Sequence, residues 1–124
     1  MSNKIVWLEM ATTDRAASAK FYGDLFGWPF VTDEKVDYTM TAFEQGTTGM
    51  GLSPVNEEQG TMPGSVLVYV DVADIDAIIA RAKELGAPIY MDKFEIAAVG
   101  TMAIFGDPGG NRIAAMQRAE GADW

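Results

Sequence analysis

Few side chains in this chain could carry out chemistry, because its 124 residues include no cysteine and no histidine. Thiolate nucleophiles, disulfides and sulfur ligands for metals are therefore excluded. The lack of histidine also removes the commonest transition-metal ligand and the usual general base near neutral pH. Any catalysis is left to carboxylates, lysine, tyrosine or bound water.

Glu9 has the most unusual setting among these groups, since it lies in the apolar, β-branched run Ile5–Met10, which predicts a strand. A carboxylate in such a strand either reaches water, accepts hydrogen bonds from tyrosine or backbone groups, or is desolvated. A desolvated Glu9 could hold a cationic ligand or act as a general base. A wet position at a cleft mouth or a dimer contact is the alternative interpretation.

Other reactive side chains fit structural roles better. The serines and threonines have no histidine to activate them, which excludes a serine-type triad. Lys93 lies beside Asp92, so we expect it to form a surface ion pair and not to act as the amine of a Schiff base. The glycine-rich segment 106–111 lacks the lysine and the following helix of a phosphate-binding loop, so it predicts a hairpin turn.

Charge and composition limit the partners of the chain. The formal net charge of -9 would repel nucleic acid and anionic lipid, so neither is an expected partner, and neutral or cationic small molecules are better matched. No run of 18 or more apolar residues could cross a bilayer. The segment Met1–Leu8 lacks the basic start and the cleavage site of a secretory signal, which predicts a cytoplasmic protein.

The elements that must position Glu9 occur twice, at an offset of 60 residues that superposes Asp14 on Asp74. In each half a strand precedes this helix-capping aspartate, and a helix follows it. The predicted helices are Arg15–Phe26, ended by Gly27, and a second from Ile75 to Leu85. The predicted strands are Ile5–Met10, Pro29–Thr32, Tyr38–Phe43, Gly49–Ser53, Val66–Val72, Pro88–Phe94, Thr101–Phe105 and Arg112–Met116.

This order predicts a single α+β domain over residues 1–124 that is built from two modules. The first covers about residues 4–54 and the second about residues 65–117. A polar stretch without periodicity, residues 55–64, links them, and residues 118–124 are expected to be frayed.

Three segments in the expected order carry a family resemblance: Asp14–Ala17 leading to Leu25–Trp28, Val72–Ala77 with Leu85–Ala87, and Phe105–Ile113. With them the chain resembles the vicinal oxygen chelate superfamily, and in particular its short glyoxalase-like and bleomycin-resistance-like members. The resemblance covers nearly all of Ile5 to Gln117. It implies two β-α-β-β-β modules that form a curved sheet around a cleft.

The resemblance also identifies the positions that hold a divalent metal in metal-dependent members. They fall on Trp7, Gly51, Leu67 and Ala114, and none of these side chains can bind a metal. We therefore expect no metal and no other cofactor. Lactoylglutathione lyase and extradiol dioxygenase activities, which need the metal, are not expected either.

The implied cleft would be lined by residues two apart on the strands, because alternate strand residues share a face. The predicted ligand-binding residues are Trp7, Glu9, Tyr38, Gly51, Leu67, Tyr69, Ala114 and Met116. Such walls suit an apolar, aromatic or cationic molecule. In the alternative interpretation, the apolar side chains simply fill the cleft and form core.

Three functional hypotheses follow. The first is a non-catalytic small-molecule-binding protein, comparable to bleomycin-resistance-like members. The second is a metal-independent isomerase or lyase that uses Glu9 as base with Tyr69 or Tyr38 as hydrogen-bond donor. The third is a structural or regulatory module with a closed cleft. Family resemblance further implies a homodimer, with modules paired within a chain or exchanged between chains.

Overall fold

The computed structural model describes residues 3–35 and 37–124, except for the side chain of residue 59. It divides into two compact units. The first unit is Trp7–Leu67, and the second unit is Val68–Trp124 together with the residues up to Val6. Each unit contains one helix and the strands of one β-α-β-β-β module, so the predicted α+β class and modular order are confirmed.

The first unit contains β1 (Ile5–Thr12, which begins just before the unit), α1 (Arg15–Phe26), β2 (Phe30–Asp33), β3 (Tyr38–Thr41) and β4 (Gly49–Pro54). Its strands form a sheet in the order β2-β3-β4-β1. Strands β1 and β4 are parallel, and the other neighbouring pairs are antiparallel. The predicted linker contains a short 3-10 helix, Glu57–Gln59, and an isolated bridge between Asn56 and Thr61.

The second unit repeats this arrangement with β5 (Val66–Asp71, which begins just before the unit), α2 (Ile75–Glu84), β6 (Ile89–Ile96), β7 (Gly100–Gly106) and β8 (Arg112–Arg118). Its strand order is β5-β8-β7-β6. Strand β5 is parallel to β8, and β7 is antiparallel to β8 across the predicted hairpin turn. Two register shifts interrupt the pairing of β6 with β7.

Both helices begin where the capping aspartates predict. The Asp14 carboxylate accepts a hydrogen bond from the Ala17 N–H at 3.0 Å, and Asp74 accepts one from Ala77 at 3.1 Å. These contacts satisfy backbone donors that the first helical turn leaves unpaired. Helix α1 ends at Gly27, whose φ of 74° is a left-handed conformation that glycine adopts at little cost.

The two helices differ in how they pack. In α2, Ile75, Ile79 and Ala82 are buried, and the first two pack with Ala103 and Ala115 of the sheet. Helix α1 has no buried residue. Its large apolar side chains Phe21, Leu25 and Phe26 are exposed by 60%, 59% and 55%. These side chains recur at helical spacing, but they are not buried in a core of the first unit.

Residues after β8 are tied to the second unit by polar contacts. The Trp124 indole N–H donates to the Val99 carbonyl at 3.2 Å, and Arg118 donates to the Trp124 backbone oxygen at 2.6 Å. Arg118 also forms two hydrogen bonds of 3.1 Å with the Asp71 carboxylate. The segment expected to be frayed thus has specific contacts.

Among the described residues, neither helix is long and apolar enough to span a bilayer.

Candidate functional site

Three predicted site residues form a hydrogen-bonded chain in the first unit. The Trp7 indole N–H donates to the Tyr38 hydroxyl oxygen at 2.9 Å. The Tyr38 hydroxyl donates in turn to Oε1 of Glu9, also at 2.9 Å. We call these residues the Trp7–Tyr38–Glu9 triad. All three are half-buried, so the triad combines aromatic surface with a carboxylate that is partly shielded from water.

The direction of each hydrogen bond follows from the groups themselves. An indole N–H can only donate, and an ionised carboxylate can only accept. The Tyr38 hydroxyl must therefore accept from Trp7 and commit its single proton to Glu9. The triad consequently fixes the orientation of the phenol relative to the Glu9 carboxylate.

Pairing between strands explains why the triad assembles. Trp7 and Glu9 are two apart on β1 and lie opposite Gly49 and Gly51 of β4. Met10, which follows Glu9, accepts a weak hydrogen bond from Tyr22 of α1, so the triad occupies the face of the sheet that α1 does not cover. We call this face the first-unit open face.

Two glycines of β4 make room for the aromatic rings. A Cβ at Gly49 would lie 2.5 Å from Cζ3 of Trp7, and one at Gly51 would overlap the Tyr38 hydroxyl and ring. Both glycines are buried, because the rings cover them. The ring centroids of Trp7 and Tyr38 are 6.5 Å apart with an interplanar angle of 28°. The glycines thus form a floor on which two nearly parallel rings rest.

The metal positions implied by the resemblance do not fit a divalent ion. Trp7, Leu67 and Ala114 offer an indole, an isobutyl and a methyl group, and the space above Gly51 holds the Tyr38 phenol. In residues 3–35 and 37–124, no group of three or more His, Cys, Asp or Glu residues could hold a metal ion. Zinc keeps three protein ligands even in a catalytic site with an open position.

The remaining predicted residues form a separate set around β5 and β8. Tyr69 and Ala114 are paired across the parallel strands, and Asp71 pairs with Met116 two residues further on. This repeats the register of Glu9 with Gly51 in the first unit. Tyr69, Ala114 and Met116 are buried at 8%, 1% and 2% exposure, whereas Leu67, in the first unit, is half-buried.

Strand pairing adds residues to this second set that sequence reasoning missed. Met102 and Ile104 of β7 pair with Met116 and Ala114, so they share the face turned away from α2. Arg112 lies two residues before Ala114 on the same strand, and its guanidinium carbon is 4.3 Å from the centre of the Tyr90 ring. The alternation of residues 112, 114 and 116 along β8 was the signal that could have identified Arg112.

An open depression of about 490 Å³ lies on the other side of the first-unit sheet, beside α1. It is lined by Asp14, Arg15, Ala16, Ala19, Phe30, Thr32 and Thr39. None of the predicted site residues borders it. Arg15 is the cationic residue in this lining, and its guanidinium donates hydrogen bonds to the side-chain carboxylate and the backbone carbonyl of Asp37. We base the candidate site on the triad, because there the chemically distinctive side chains meet.

Comparison with known proteins places this geometry in context. The family model described as "Glyoxalase/Bleomycin resistance protein/Dioxygenase superfamily" matches residues 4–115. The anthracycline biosynthesis protein DauV of Streptomyces sp. (strain C5) is 30% identical over 134 aligned positions. These cover 94% of this chain and 48% of DauV, so the chain spans about half the length of that relative.

Solved structures share the fold at low sequence identity. Methylmalonyl-CoA epimerase of Streptomyces coelicolor, as a variant in complex with 2-nitronate-propionyl-CoA, superposes with a TM-score of 0.73 at 18% identity, over 96% of this chain and 99% of the epimerase. A glyoxalase/bleomycin resistance protein/dioxygenase superfamily member from Vibrio splendidus 12B01 gives 0.67 at 19% identity, over 94% and 99%. These likenesses concern the fold alone.

Proposed function

Because the chain belongs to the glyoxalase/bleomycin resistance protein/dioxygenase superfamily, we propose that it uses this fold, without a metal, to bind a small planar aromatic molecule. The observation that carries the proposal is the Trp7–Tyr38–Glu9 triad on its glycine floor. Where metal-dependent members need polar ligands, the first-unit open face presents two rings and one carboxylate. This set of groups suits stacking combined with a polar anchor.

The physical chemistry of the triad favours a particular ligand. Offset stacking of an aromatic ligand on Trp7 or Tyr38 adds about 0.5–1.5 kcal/mol beyond the burial of apolar surface. The rings are held by hydrogen bonds and by the glycine floor, so little side-chain freedom is lost on binding. Glu9 would accept a hydrogen bond from an ammonium or hydroxyl group of the ligand. The expected ligand is thus planar, largely apolar and a hydrogen-bond donor at one edge.

The name of DauV supports the same ligand class. It refers to anthracycline biosynthesis, and anthracyclines are built on planar fused rings. The alignment with DauV covers 94% of this chain at 30% identity. We therefore expect this chain to recognise a planar fused-ring molecule.

Tryptophan fluorescence can test the proposal if Trp7 is isolated from the other two tryptophans. Trp28 packs against Phe26 and Phe43, and Trp124 lies beside Arg118. The double variant Trp28→Phe/Trp124→Phe would keep Trp7 as its sole tryptophan. Titration with proflavine, a planar cationic dye, is expected to quench Trp7 emission to saturation, and Glu9→Gln should weaken binding about tenfold or more because a charge-assisted hydrogen bond is lost.

The matched control is the variant Trp7→Phe/Trp124→Phe, in which Trp28 alone reports. It should show only the linear quenching expected from light absorption by the dye. Saturable quenching of equal affinity in both variants would place the dye elsewhere. A linear response of Trp7 to proflavine and to uncharged anthraquinone-type probes would refute the binding proposal for the first-unit open face.

A second candidate function rests on the 2.9 Å hydrogen bond between Tyr38 and Glu9. A carboxylate held by a phenol could abstract the acidic proton next to a carbonyl group, as an isomerase or lyase requires, and such general-base help supplies about 10²–10⁴ in rate. The test is α-proton exchange in D₂O, followed by NMR, on a panel of α-hydroxyketones and malonate half-esters. Exchange abolished by Glu9→Gln supports the enzyme, and exchange unaffected by that change removes the proposed base.

We also propose that the chain forms a homodimer through the exposed apolar side chains of α1, which are Phe21, Leu25 and Phe26. Three large apolar residues on one helix form a patch of the kind that marks interaction sites. A second copy is the occupant we propose. Light scattering after gel filtration should give twice the chain mass, and Phe21→Glu with Leu25→Glu should give the single-chain mass. A monomeric parent protein would contradict this assignment.

A further inference from the structure

The first residue of α1 is an arginine whose hydrogen bonds lead directly to the triad. The Arg15 guanidinium donates from Nη2 to Oδ1 of Asp37 at 2.6 Å, and from Nη1 to the backbone carbonyl oxygen of the same residue. Asp37 immediately precedes Tyr38, the first residue of β3. Arg15 therefore contacts both the carboxylate of Asp37 and the peptide group that joins Asp37 to Tyr38.

Asp37 occupies a backbone conformation that needs support. Its φ is 52°, in the left-handed region that few residues other than glycine adopt and that aspartate tolerates better than most. Asp33, the last residue of β2, pairs with Tyr38, so the chain reverses between these two residues. The conformation of Asp37 consequently sets the direction in which the chain enters β3.

Arg15 is the more shielded partner of this contact. Its side chain is 24% exposed, whereas that of Asp37 is 79% exposed. Phe30, Thr32 and Thr39 line the depression beside α1 together with Arg15. A planar guanidinium that binds two acceptors loses less freedom for each hydrogen bond than a flexible ammonium does. The contact thus differs from a pair of fully exposed, mobile side chains, which contributes little.

The position of the Tyr38 backbone matters for the triad because the phenol has little space. Its hydroxyl lies over Gly51, where even a Cβ atom would overlap it, and it must contact Trp7 and Glu9 at the same time. Hydrogen bonds weaken steeply as their angle departs from linearity. A small rotation at the start of β3 would therefore loosen both bonds of the hydroxyl.

We propose that Arg15 is a positioning residue of the first-unit site. It holds Asp37 so that Tyr38 enters β3 in the orientation that meets Trp7 and Glu9. The inference rests on the function proposed above, because it concerns how that site is kept ready for its ligand. Arg15 acts through Asp37 and Tyr38, from the side of the sheet on which α1 lies.

Hydrogen exchange tests this role without any ligand. In the double variant described above, in which Trp7 is the sole tryptophan, its indole N–H gives the single indole signal in NMR. Arg15→Gln is expected to raise the exchange rate of this N–H about threefold or more, because Tyr38 is held less well as its acceptor. The Met50 backbone N–H, which donates to the Thr41 hydroxyl at 3.0 Å, is the reference within the same unit and should change less than about 1.5-fold.

Two control variants separate positioning from a loss of charge or of general stability. Lys20→Gln removes the same charge from α1 and breaks the exposed pair with Asp24, so it should leave the exchange of Trp7 unchanged. In a Tyr38→Phe background the indole N–H has already lost the hydroxyl acceptor. Arg15→Gln should then cause no further increase.

Asp37→Asn tests the contact from its other side, because it keeps the backbone carbonyl and removes the charged acceptor. It should raise the exchange rate of the Trp7 N–H less than Arg15→Gln does. The two changes together should give no more than Arg15→Gln alone, since the carboxylate matters only when the guanidinium is present. An Asp37→Asn effect that adds in full to Arg15→Gln would contradict a shared contact.

An unchanged Trp7 exchange rate in Arg15→Gln, an equal rise at Met50, or the same rise in Lys20→Gln would each overturn the inference. Titration with proflavine separates it from the proposed function. If the parent binds the dye, Arg15→Gln should weaken binding about two- to threefold and Lys20→Gln should not, and equal affinities in all three would also overturn the inference. If the parent binds no planar dye, the proposed function fails, while the exchange rates still decide the role of Arg15.

Discussion

The Tyr38 hydroxyl occupies the space in which a side chain on Gly51 would begin. The two residues lie on adjacent strands, and Met40, two positions after Tyr38, is the direct partner of Gly51. Tyr38 therefore reaches along the sheet over Gly51 to meet Glu9, which pairs with Gly51 from the other side. The Tyr38 phenol thus fills the space that a side chain at residue 51 would need.

The close approach of Tyr38 to Gly51 predicts that a methyl group added at residue 51 lowers the free energy of unfolding. In Gly51→Ala the new Cβ would overlap the Tyr38 hydroxyl and ring, so the phenol must move away and lose its hydrogen bonds to Trp7 and Glu9. Overpacking of this kind costs about 1–3 kcal/mol in unfolding free energy. Urea denaturation should show this loss, and the NMR signal of the Trp7 indole N–H should shift.

Gly109→Ala provides the matched control, since the nearest atom to its Cβ would be 3.4 Å away, an ordinary contact. Its stability should change by less than about 0.5 kcal/mol. In a Tyr38→Ala background the Gly51→Ala change should become similarly mild, because no ring is left to displace. A full cost in that background would show that Gly51 is needed for another reason.

A second prediction concerns coupling within the triad. Tyr38→Phe removes both the acceptor for the Trp7 N–H and the donor to Glu9, while Glu9→Gln replaces a charged acceptor by a neutral one. Because the two changes affect one hydrogen bond, their effects on the unfolding free energy should not add. A double-mutant cycle is expected to give a coupling of about 0.5–3 kcal/mol.

The control for this cycle pairs Glu9→Gln with Thr32→Val, which removes a hydroxyl that hydrogen-bonds to Thr39 elsewhere in the first unit. These two changes should add to within about 0.5 kcal/mol. A coupling near zero between Tyr38 and Glu9 would mean that their hydrogen bond contributes little in solution.

The sequence predicted the elements well because their signals are local. Asp14 caps α1 through a contact only three residues away, and Gly27 ends the same helix by its own backbone conformation. Alternation along β1 likewise placed Trp7 and Glu9 on one face. In each case the deciding interaction involves neighbours in the sequence, so the pattern of residue types is sufficient.

The contacts that define the candidate sites are not local. Tyr38 and Trp7 are separated by 31 positions, and their hydrogen bond depends on space above Gly51 that only the assembled sheet reveals. Register shifts in β6 turn Met91 and Phe94 to one face, against the simple alternation expected of a strand. The sequence therefore predicted Tyr38 as a lining residue and, with Tyr69 as the alternative, as the hydrogen-bond donor used together with Glu9, but it did not predict the bond from Trp7 to Tyr38. Arg112 and Tyr90 were missed.

A third prediction follows from the contrast between the helices. Ile79 of α2 is 6% exposed and packs within the core cluster of the second unit, whereas Leu25 of α1 is 59% exposed. Ile79→Ala should cost about 2–5 kcal/mol, because it removes buried apolar surface and leaves a cavity. Leu25→Ala, measured at a concentration where the chain is monomeric, should cost less than about 0.5 kcal/mol. A similar large loss in both variants would show that α1 is also buried in solution.

A fourth prediction concerns pH. Hydrogen bonds from the Asn111 side-chain amide, and from backbone N–H groups of Asn111 and Gly109, hold the pKa of Asp107 below its usual value of 3.8. The folded chain therefore binds this proton less readily than the unfolded chain does. The resulting stabilisation is fully present above the usual pKa, and it is lost as the pH falls through the lower pKa of the folded state.

Asn111→Ala removes the largest cause of this shift, so the pKa of Asp107 should rise toward 3.8 in a carboxyl-carbon NMR titration. The stability difference between the parent chain and this variant should shrink as the pH is lowered below 3.8. Asp92 is the internal reference, because its pKa is lowered chiefly by the Lys93 backbone N–H and should not respond to the change. An Asp107 titration midpoint that is the same in both proteins would show that the Asn111 side chain does not hold this turn.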